Sequence, residues 1–310
     1  MSLLNQVRRR IFAAKDPAAT SLAKRAAAGP KFGDLQLKTC RYGPMLFTGP
    51  IIGKCFELYG EYSESEVALM RNFVMPGANI IDIGANIGDL TVPLAQMAGP
   101  EGAVYAFESN AAVFNVLCAN LALNGLNNVK PFNVYVRQPR SDGAPLAEPD
   151  SPYLSARWSA PDIAIDDLGL EHCGLIKLDV DGAEEDILRS GERLLRRARP
   201  VLYVENDQEQ RSPGLLRYMA GQDYDLYWHA APVFAPANFF GNPDNYWQGN
   251  LISTMVVGIP SESGLSIANL PRVRDFDQFW DFNAAWVNDQ LVEGFSVQVL
   301  RPVDAAVVRA

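Results

Sequence analysis

The sequence predicts a doubly wound α/β fold with a mostly parallel sheet, and three features carry that prediction. Short apolar runs at residues 79–83 and 103–107 each carry a carboxylate at or next to their end, and a third run at residues 175–181 ends in alternating charges. Such runs are too short for confident helices, and continuous apolar character is what a strand buried on both faces of a parallel sheet requires. Helix-like segments separate the runs, giving the strand–helix rhythm of βαβ units.

The elements follow in chain order. Residues 36–75 hold strand-like pieces at Met45-Leu46-Phe47 and Ile51-Ile52, then Tyr59-Gly60-Glu61-Tyr62-Ser63-Glu64-Ser65-Glu66. Ser63 followed by Glu66 fits a capping box, so a helix is expected over residues 64–73, leading into Pro76-Gly77 as a candidate cofactor lid. Asn79-Ile80-Ile81-Asp82-Ile83-Gly84-Ala85-Asn86-Ile87-Gly88-Asp89 then reads as the first core strand and its loop. Gly84 and Gly88 would let the backbone turn sharply and pass close to a ligand, with a helix from about Leu90 aiming its first amides there. The Gly-x-Asn-x-Gly spacing departs from the dinucleotide fingerprint, so no pyrophosphate cradle is implied, which opposes the alternative of an NAD-dependent oxidoreductase.

Ala103-Val104-Tyr105-Ala106-Phe107-Glu108 is the second core strand, and Glu108 falls 24 positions after Gly84. A carboxylate there can grip a ribose diol through two hydrogen bonds. The alternative is a helix cap, because Ser109 and Asn110 open the next helix. That helix carries Val113, Leu117 and Leu121 at helical spacing and ends near Asn124-Gly125. A third strand is expected over residues 129–136, a Pro-, Ser-, Asp- and Gly-rich loop insertion over 138–160, and renewed order over 163–168.

Leu175-Ile176-Lys177-Leu178-Asp179-Val180-Asp181 forms the fourth strand, with Lys177, Asp179 and Asp181 at alternate positions. The following helix places Ile187, Leu188, Gly191, Leu194, Leu195 and Ala198 on one face, with acids in its first turn and Arg196, Arg197 and Arg199 in its last, as the helix dipole favours. Pro200 stops it before a fifth strand over residues 201–207, and residues 251–259 read as a closing strand. A helix containing Phe276, Phe279, Trp280 and Phe282 is the expectation for residues 261–310. Ligands of open α/β sheets sit outside the carboxyl ends of the strands, where Asp82, Glu108, Asp179, Asp181, Glu205 and Asn206 all map.

With these motifs the chain resembles the FkbM family of class I S-adenosylmethionine (SAM) methyltransferases over about residues 50–260. The similar pieces are Tyr59-Gly60-Glu61-Tyr62, the Ile81 to Gly88 loop, Phe107-Glu108, Ile176-Lys177-Leu178-Asp179-Val180-Asp181-Gly182-Ala183-Glu184 and Pro200-Val201-Leu202-Tyr203-Val204-Glu205. A later run from Tyr227-Trp228-His229 through Asn238-Phe239-Phe240-Gly241-Asn242 to Asn250 is similar to a subset of that family; the position of Asp181 is more often glutamate there. The resemblance implies a Rossmann-like, mostly parallel seven-stranded sheet. It also implies SAM as cofactor and O-methylation of a hydroxyl on a sugar, glycan or natural product, with N-methylation of an amide or amine as the alternative. The corresponding organisation is a basic N-terminal arm (1–35), a lid segment (36–75), a SAM-binding domain (76–260) and a C-terminal extension (261–310). Cofactor contacts are assigned to Tyr59, Glu61, Asp82, Gly84, Asn86, Gly88, Glu108, Ser109 and Asp179.

Removing the proton of a sugar hydroxyl calls for a base. The chain has two histidines, and His229, amid Trp228, Phe234, Asn238, Phe239 and Phe240, is the first candidate; His172 reads as a surface residue. A hydrogen-bonded packing histidine is the alternative. Asp179 and Glu205 compete for the role; either could instead bind the methionine amino group, or coordinate a divalent ion with Asp181 and Asn206. No metal-ligand set is assigned, and Mg²⁺ stands as the second choice. Lys177 would neutralise or orient these acids. Aromatic and amide groups from Tyr224 to Gln248, Tyr246 among them, suit a polar ring, although core packing explains many of them equally well.

A formal charge of −9 opposes general nucleic-acid binding. Residues 1–35 nevertheless carry Arg8, Arg9, Arg10, Lys15, Lys24, Arg25 and Lys31 against Asp16 and Asp34, so the arm could contact an anionic membrane or an oligomer partner; a loosely ordered extension is the alternative. Cys40, Cys55, Cys118 and Cys173 form no C-x-x-C pair, and the N-terminus lacks an apolar signal region, so a soluble, cytoplasmic protein is expected.

Overall fold

The computed structural model describes residues 34–138, 161–247, 251–279 and 299–300. Nearly all of the basic arm, the insertion beyond Gln138, and Gln248, Asn250, Trp280 and Phe282 lie outside the described residues. The chain enters through an antiparallel hairpin of β1 (Gln36–Cys40) and β2 (Gly43–Phe47). Helices α1 (Ile52–Tyr59) and α2 (Glu64–Met70) follow, so Ile51-Ile52 opens a helix rather than a strand. The expected capping box does not form: Ser63 is left-handed (φ 45°) and its hydroxyl donates to the Glu66 side chain at 2.6 Å instead of receiving a backbone amide.

The βα units are β3 (Asn79–Ile83), α3 (Thr91–Ala98), β4 (Ala103–Phe107), α4 (Ala111–Leu123) and β5 (Val129–Phe132). After the short strands β6 (Tyr135–Val136) and β7 (Asp162–Ile163) come β8 (Leu175–Leu178), α5 (Glu184–Arg189), α6 (Glu192–Ala198) and β9 (Val201–Glu205). The last large elements are α7 (Ser212–Gly221), β10 (Tyr224–Pro232) and β11 (Ile252–Pro260). The main sheet has seven strands in the order β10-β11-β9-β8-β3-β4-β5. β11 runs antiparallel to both neighbours while the other pairings are parallel, which is the doubly wound sheet the sequence predicts. β11 is therefore not a closing edge; it is inserted between β9 and β10.

Alternate residues of each central strand enter two cores, as a period of two demands when both faces are covered. Ile80, Leu175, Val201 and Tyr203 pack with α2, α3, α4 and the hairpin, whereas Ile81, Ile176, Leu202 and Val204 pack with α5, α6 and α7. Two other expectations are corrected. The single strand over 129–136 divides, because Asn133 turns aside to donate from its side chain to the carbonyls of Glu108 and Ser109, and β6 pairs with β7 instead. The helix after Asp181 breaks at Ser190-Gly191, where Ile165 presses so close that a Cβ on Gly191 would lie 2.8 Å from its Cγ2. Asp166 then caps α6 by accepting from the amides of Arg193 and Leu194.

Gly84 shows what the β3 turn demands. Its φ is +77°, and an added Cβ would fall 1.9 Å from the carbonyl oxygen of Asp179. Gly77 shares the left-handed backbone (φ +84°) but has nothing within 4 Å. Gly77→Ala is expected to cost about 1 kcal/mol through backbone strain alone, and Gly84→Ala at least about 2 kcal/mol because the β8 end must also move. Denaturant unfolding of both variants checks this; equal losses would show that the close approach is immaterial.

Candidate functional site

The carboxyl ends of β9, β8, β3 and β4 lie side by side, and each carries an acid: Glu205, Asp179, Asp82 and Glu108. Asp82 is fully buried. Thr91 at the start of α3 donates to its Oδ2 at 2.6 Å, and Lys177, its register partner on β8, places Nζ 3.3 Å from Oδ1. The same Nζ donates to the carbonyl of Gly84 at 2.8 Å and lies 3.7 Å from Asp179 Oδ2. Burial opposes the charge on Lys177, but Asp82, Asp179, Asp89 and Glu66 outweigh it and hold its pKa above the ordinary lysine range. Asp82 thus acts on the site through Lys177 and Thr91, not by presenting its own oxygens.

The loop after β3 is built on its own chain. Gly84 abuts the Asp179 carbonyl, and a Cβ on Gly88 would fall 2.9 Å from Leu117 of α4, so the close approaches these glycines permit are internal ones. Asn86 is left-handed (φ 48°); its side chain accepts from the Ile87 amide at 2.8 Å, and its own amide donates to Glu108 Oε2 at 3.0 Å. Glu108 Oε1 accepts from the Asn110 amide at 2.7 Å, while the Asn110 side chain caps α4. The carboxylate therefore braces both the loop and the helix entry, with one lone pair of each oxygen still available for a diol. Burial pushes Glu108 up to about 7, against the pull of the Asn110 and Asn86 amides. Ser109 beside it is half-buried, and its carbonyl is held by Asn133.

Asp179 is the open member of the edge, with 42% of its side chain exposed. Glu205 shares a hydrogen bond with it; burial first, then Asp179 and Asp207, hold the Glu205 carboxyl well above the usual range. The loop beyond β8 is pinned by Glu184, which accepts from the Gly182 amide at 2.9 Å, and by Arg211, which donates to the Gly182 carbonyl at 2.6 Å. Asp181 is exposed at its tip. Asn206 does not join a cation ligand set: its side chain turns away to donate to Ser212 Oγ of α7 at 2.9 Å.

Three expected site residues are buried pins. Tyr59 is 1% exposed, its hydroxyl accepting from the Tyr246 amide at 2.9 Å and donating to the Asp244 carbonyl at 3.2 Å. Glu61, 2% exposed, accepts from Arg41 Nε at 2.6 Å and from the Phe239 amide at 2.7 Å through the same oxygen, leaving its buried Oε1 without a hydrogen-bond partner. Both tie the segment carrying Phe239 and Tyr246 to the chain at and just beyond the end of α1. His229, the first candidate base, is corrected outright. It is completely buried and packed against Tyr203, whose hydroxyl meets its Nδ1 at 2.8 Å, and burial drives its pKa down to about 3. It belongs to an internal chain in which Tyr203 also hydrogen-bonds Glu66.

The aromatic group around it divides as well. Trp228 is in the core, whereas Phe239, Phe240 and Tyr246 are exposed. Sequence reasoning missed Thr91, Asn120, Glu66 and Tyr203. The visible signal was polar residues inside apolar periodicity, most clearly Asn120 within Val116-Leu117-Cys118-Ala119-Asn120-Leu121.

The buried acids give the fold a pH signature. Burial raises Glu66, Glu108 and Glu184 to about 7 and Asp89 to about 8. Unfolded, these groups ionise near pH ~4, so between there and their native values the folded state holds more protons and stability falls as pH rises. His229 acts in the opposite sense, but only below its unfolded value of about 6.5. From about pH 6.5 to 8, then, Tm should fall, and Glu66→Gln should flatten the slope; a Tm that is level or rises across that window contradicts the assignment.

The sequence profile of the methyltransferase FkbM domain matches residues 82–226. A tRNA(Phe) (4-demethylwyosine(37)-C(7)) aminocarboxypropyltransferase from Methanocaldococcus jannaschii is 46% identical over 53 residues, which is 17% of this chain and 21% of that relative. The chain thus matches about a fifth of that relative's length. Among solved structures, precorrin-6y C5,15-methyltransferase from Geobacter metallireducens is similar at 14% identity and a TM-score of 0.41, over 63% of this chain and 86% of its own. TYW2 from M. jannaschii, solved in complex with AdoMet, aligns at 16% identity and a TM-score of 0.38, over 73% of this chain and 85% of its own. From the end of β3 to the start of β10, the strands, loops and acids described above fall within the segment that matches the methyltransferase FkbM domain.

Proposed function

We propose that this protein transfers a methyl group from SAM to a hydroxyl of a sugar, glycan or other natural product. The observation that carries the reading is the acidic strand edge, in which Asp82, Glu108, Asp179 and Glu205 end four adjacent strands and Lys177 pairs with Asp82 and Asp179, behind a loop that is not a pyrophosphate cradle. Such an edge attracts a ligand bearing a sulfonium and an ammonium and repels a pyrophosphate. When bound, SAM supplies an electrophilic methyl group on positively charged sulfur.

The chain's residues divide the remaining work. Glu108, already oriented by the amides of Asn86 and Asn110, receives the ribose hydroxyls. Asp179, the exposed carboxylate, would take the proton of the acceptor hydroxyl as that hydroxyl's oxygen replaces sulfur on the methyl carbon, and Lys177 and Glu205 hold Asp179 in place. Fixing the two reactants in line can supply up to about 7–11 kcal/mol, so a modest base suffices. The exposed rings of Phe239, Phe240 and Tyr246 suit stacking against an acceptor ring.

Turnover of methyl-labelled SAM with hydroxyl-bearing and amine-bearing acceptors tests the reading. A base-labile O–H proton is the one removed if Asp179 is the base, so Asp179→Asn should lower kcat by about 10²–10⁴-fold on a hydroxyl acceptor. Labelling of nitrogen alone would replace O-methylation with N-methylation. Glu108→Ala should weaken S-adenosylhomocysteine binding by about 1–3 kcal/mol, and an unchanged affinity would remove the ribose role.

A further inference from the structure

Asn120 is fully buried in α4, a helix otherwise apolar on that side. Its amide is used completely. Oδ1 accepts from the Leu46 amide at 2.6 Å, and Nδ2 donates to the Leu46 carbonyl at 2.9 Å and to the Ile87 carbonyl at 2.7 Å. To Leu46 of β2 the side chain presents the donor–acceptor pair that a neighbouring strand would present. Its remaining N–H reaches the loop between β3 and α3, at the residue following Asn86, whose amide braces Glu108.

One turn along α4, Asn124 donates to the Pro44 carbonyl at 2.8 Å, and Gly43 sits so close that an added Cβ would fall 2.0 Å from Asn124 Oδ1. The β1–β2 hairpin is therefore held to α4 by two asparagines, of which Asn120 also grips the loop. That hairpin lies outside the matched domain, which begins at Asp82.

We infer that Asn120 is a positioning residue that sets the cofactor loop against Glu108 and makes the loop's shape depend on the N-terminal hairpin. The inference rests on the methyltransferase reading for the identity of the ligand. Without the amide, the buried Ile87 carbonyl loses its partner, and the Ile87–Gly88 peptide no longer anchors the loop whose earlier residue Asn86 supplies the amide to Glu108. The Asn86 amide then no longer orients Glu108 for a diol. Asn124→Ala is the matched control, because it loosens the hairpin without touching the loop.

Calorimetric titration of the full chain with S-adenosylhomocysteine, alongside Tm without ligand, tests this. Asn120→Ala should weaken affinity by about tenfold or more, since a buried acceptor left unpaired costs on the order of a factor of ten in an equilibrium constant. Asn124→Ala should lower Tm yet leave affinity within about twofold, because a purely structural loss does not alter the folded protein's site. Asn120→Asp keeps the acceptor for the Leu46 amide and loses both donors; it should weaken affinity like Asn120→Ala, and it replaces that variant if the alanine protein does not fold. Equal affinities for the wild type and the Asn120 variants overturn the inference, as does an equal loss in Asn124→Ala. Absence of binding by the wild type overturns the methyltransferase reading and this inference with it.

Discussion

The buried ammonium of Lys177 organises the carboxyl edge of the sheet. From one position on β8 it reaches the carbonyl of Gly84, the carboxylate of Asp82 and, at longer range, that of Asp179. A buried lysine without such partners would shed its proton. Each charge is held in the interior by the other. The pairing also fixes β3, β8 and the glycine loop in one register, because the three contacts converge on a single atom.

The remaining acids then fall into two kinds. Burial raises Glu205 and Glu66 above the usual carboxylate range; Glu205 is hydrogen-bonded to Asp179, and Glu66 accepts from the Tyr203 hydroxyl. Asp179 and Asp181 face solvent. This gradient from buried, raised carboxyls to an exposed acidic rim suits a cationic ligand. It lets the rim attract positive charge while the interior avoids the repulsion of many adjacent carboxylates.

Much of this was legible in the residues. The strand runs, the glycine turn and the acid after the second strand located the fold and its edge, because buried parallel strands and tight turns leave compositional marks. The Asn110 cap and the Asn124 helix end were equally plain. What escaped were consequences of three-dimensional neighbourhood. Whether Gly84 approaches a ligand or the Asp179 carbonyl depends on strand order, and whether His229 faces an acceptor or Tyr203 depends on β11 slipping between β9 and β10. Tyr59 and Glu61 are expected at the cofactor, yet their polar atoms serve the segment bearing Tyr246 and Phe239, which no spacing in the sequence reveals.

An edge built around Lys177 should receive a sulfonium nucleoside and not a dinucleotide. Parallel calorimetric titrations of the purified chain with S-adenosylhomocysteine and with NADH distinguish the two. Micromolar binding of S-adenosylhomocysteine, with no heat from NADH, is the expected result. Binding of NADH alone would mean that the glycine turn cradles a pyrophosphate after all, and the account of the acidic edge would fall.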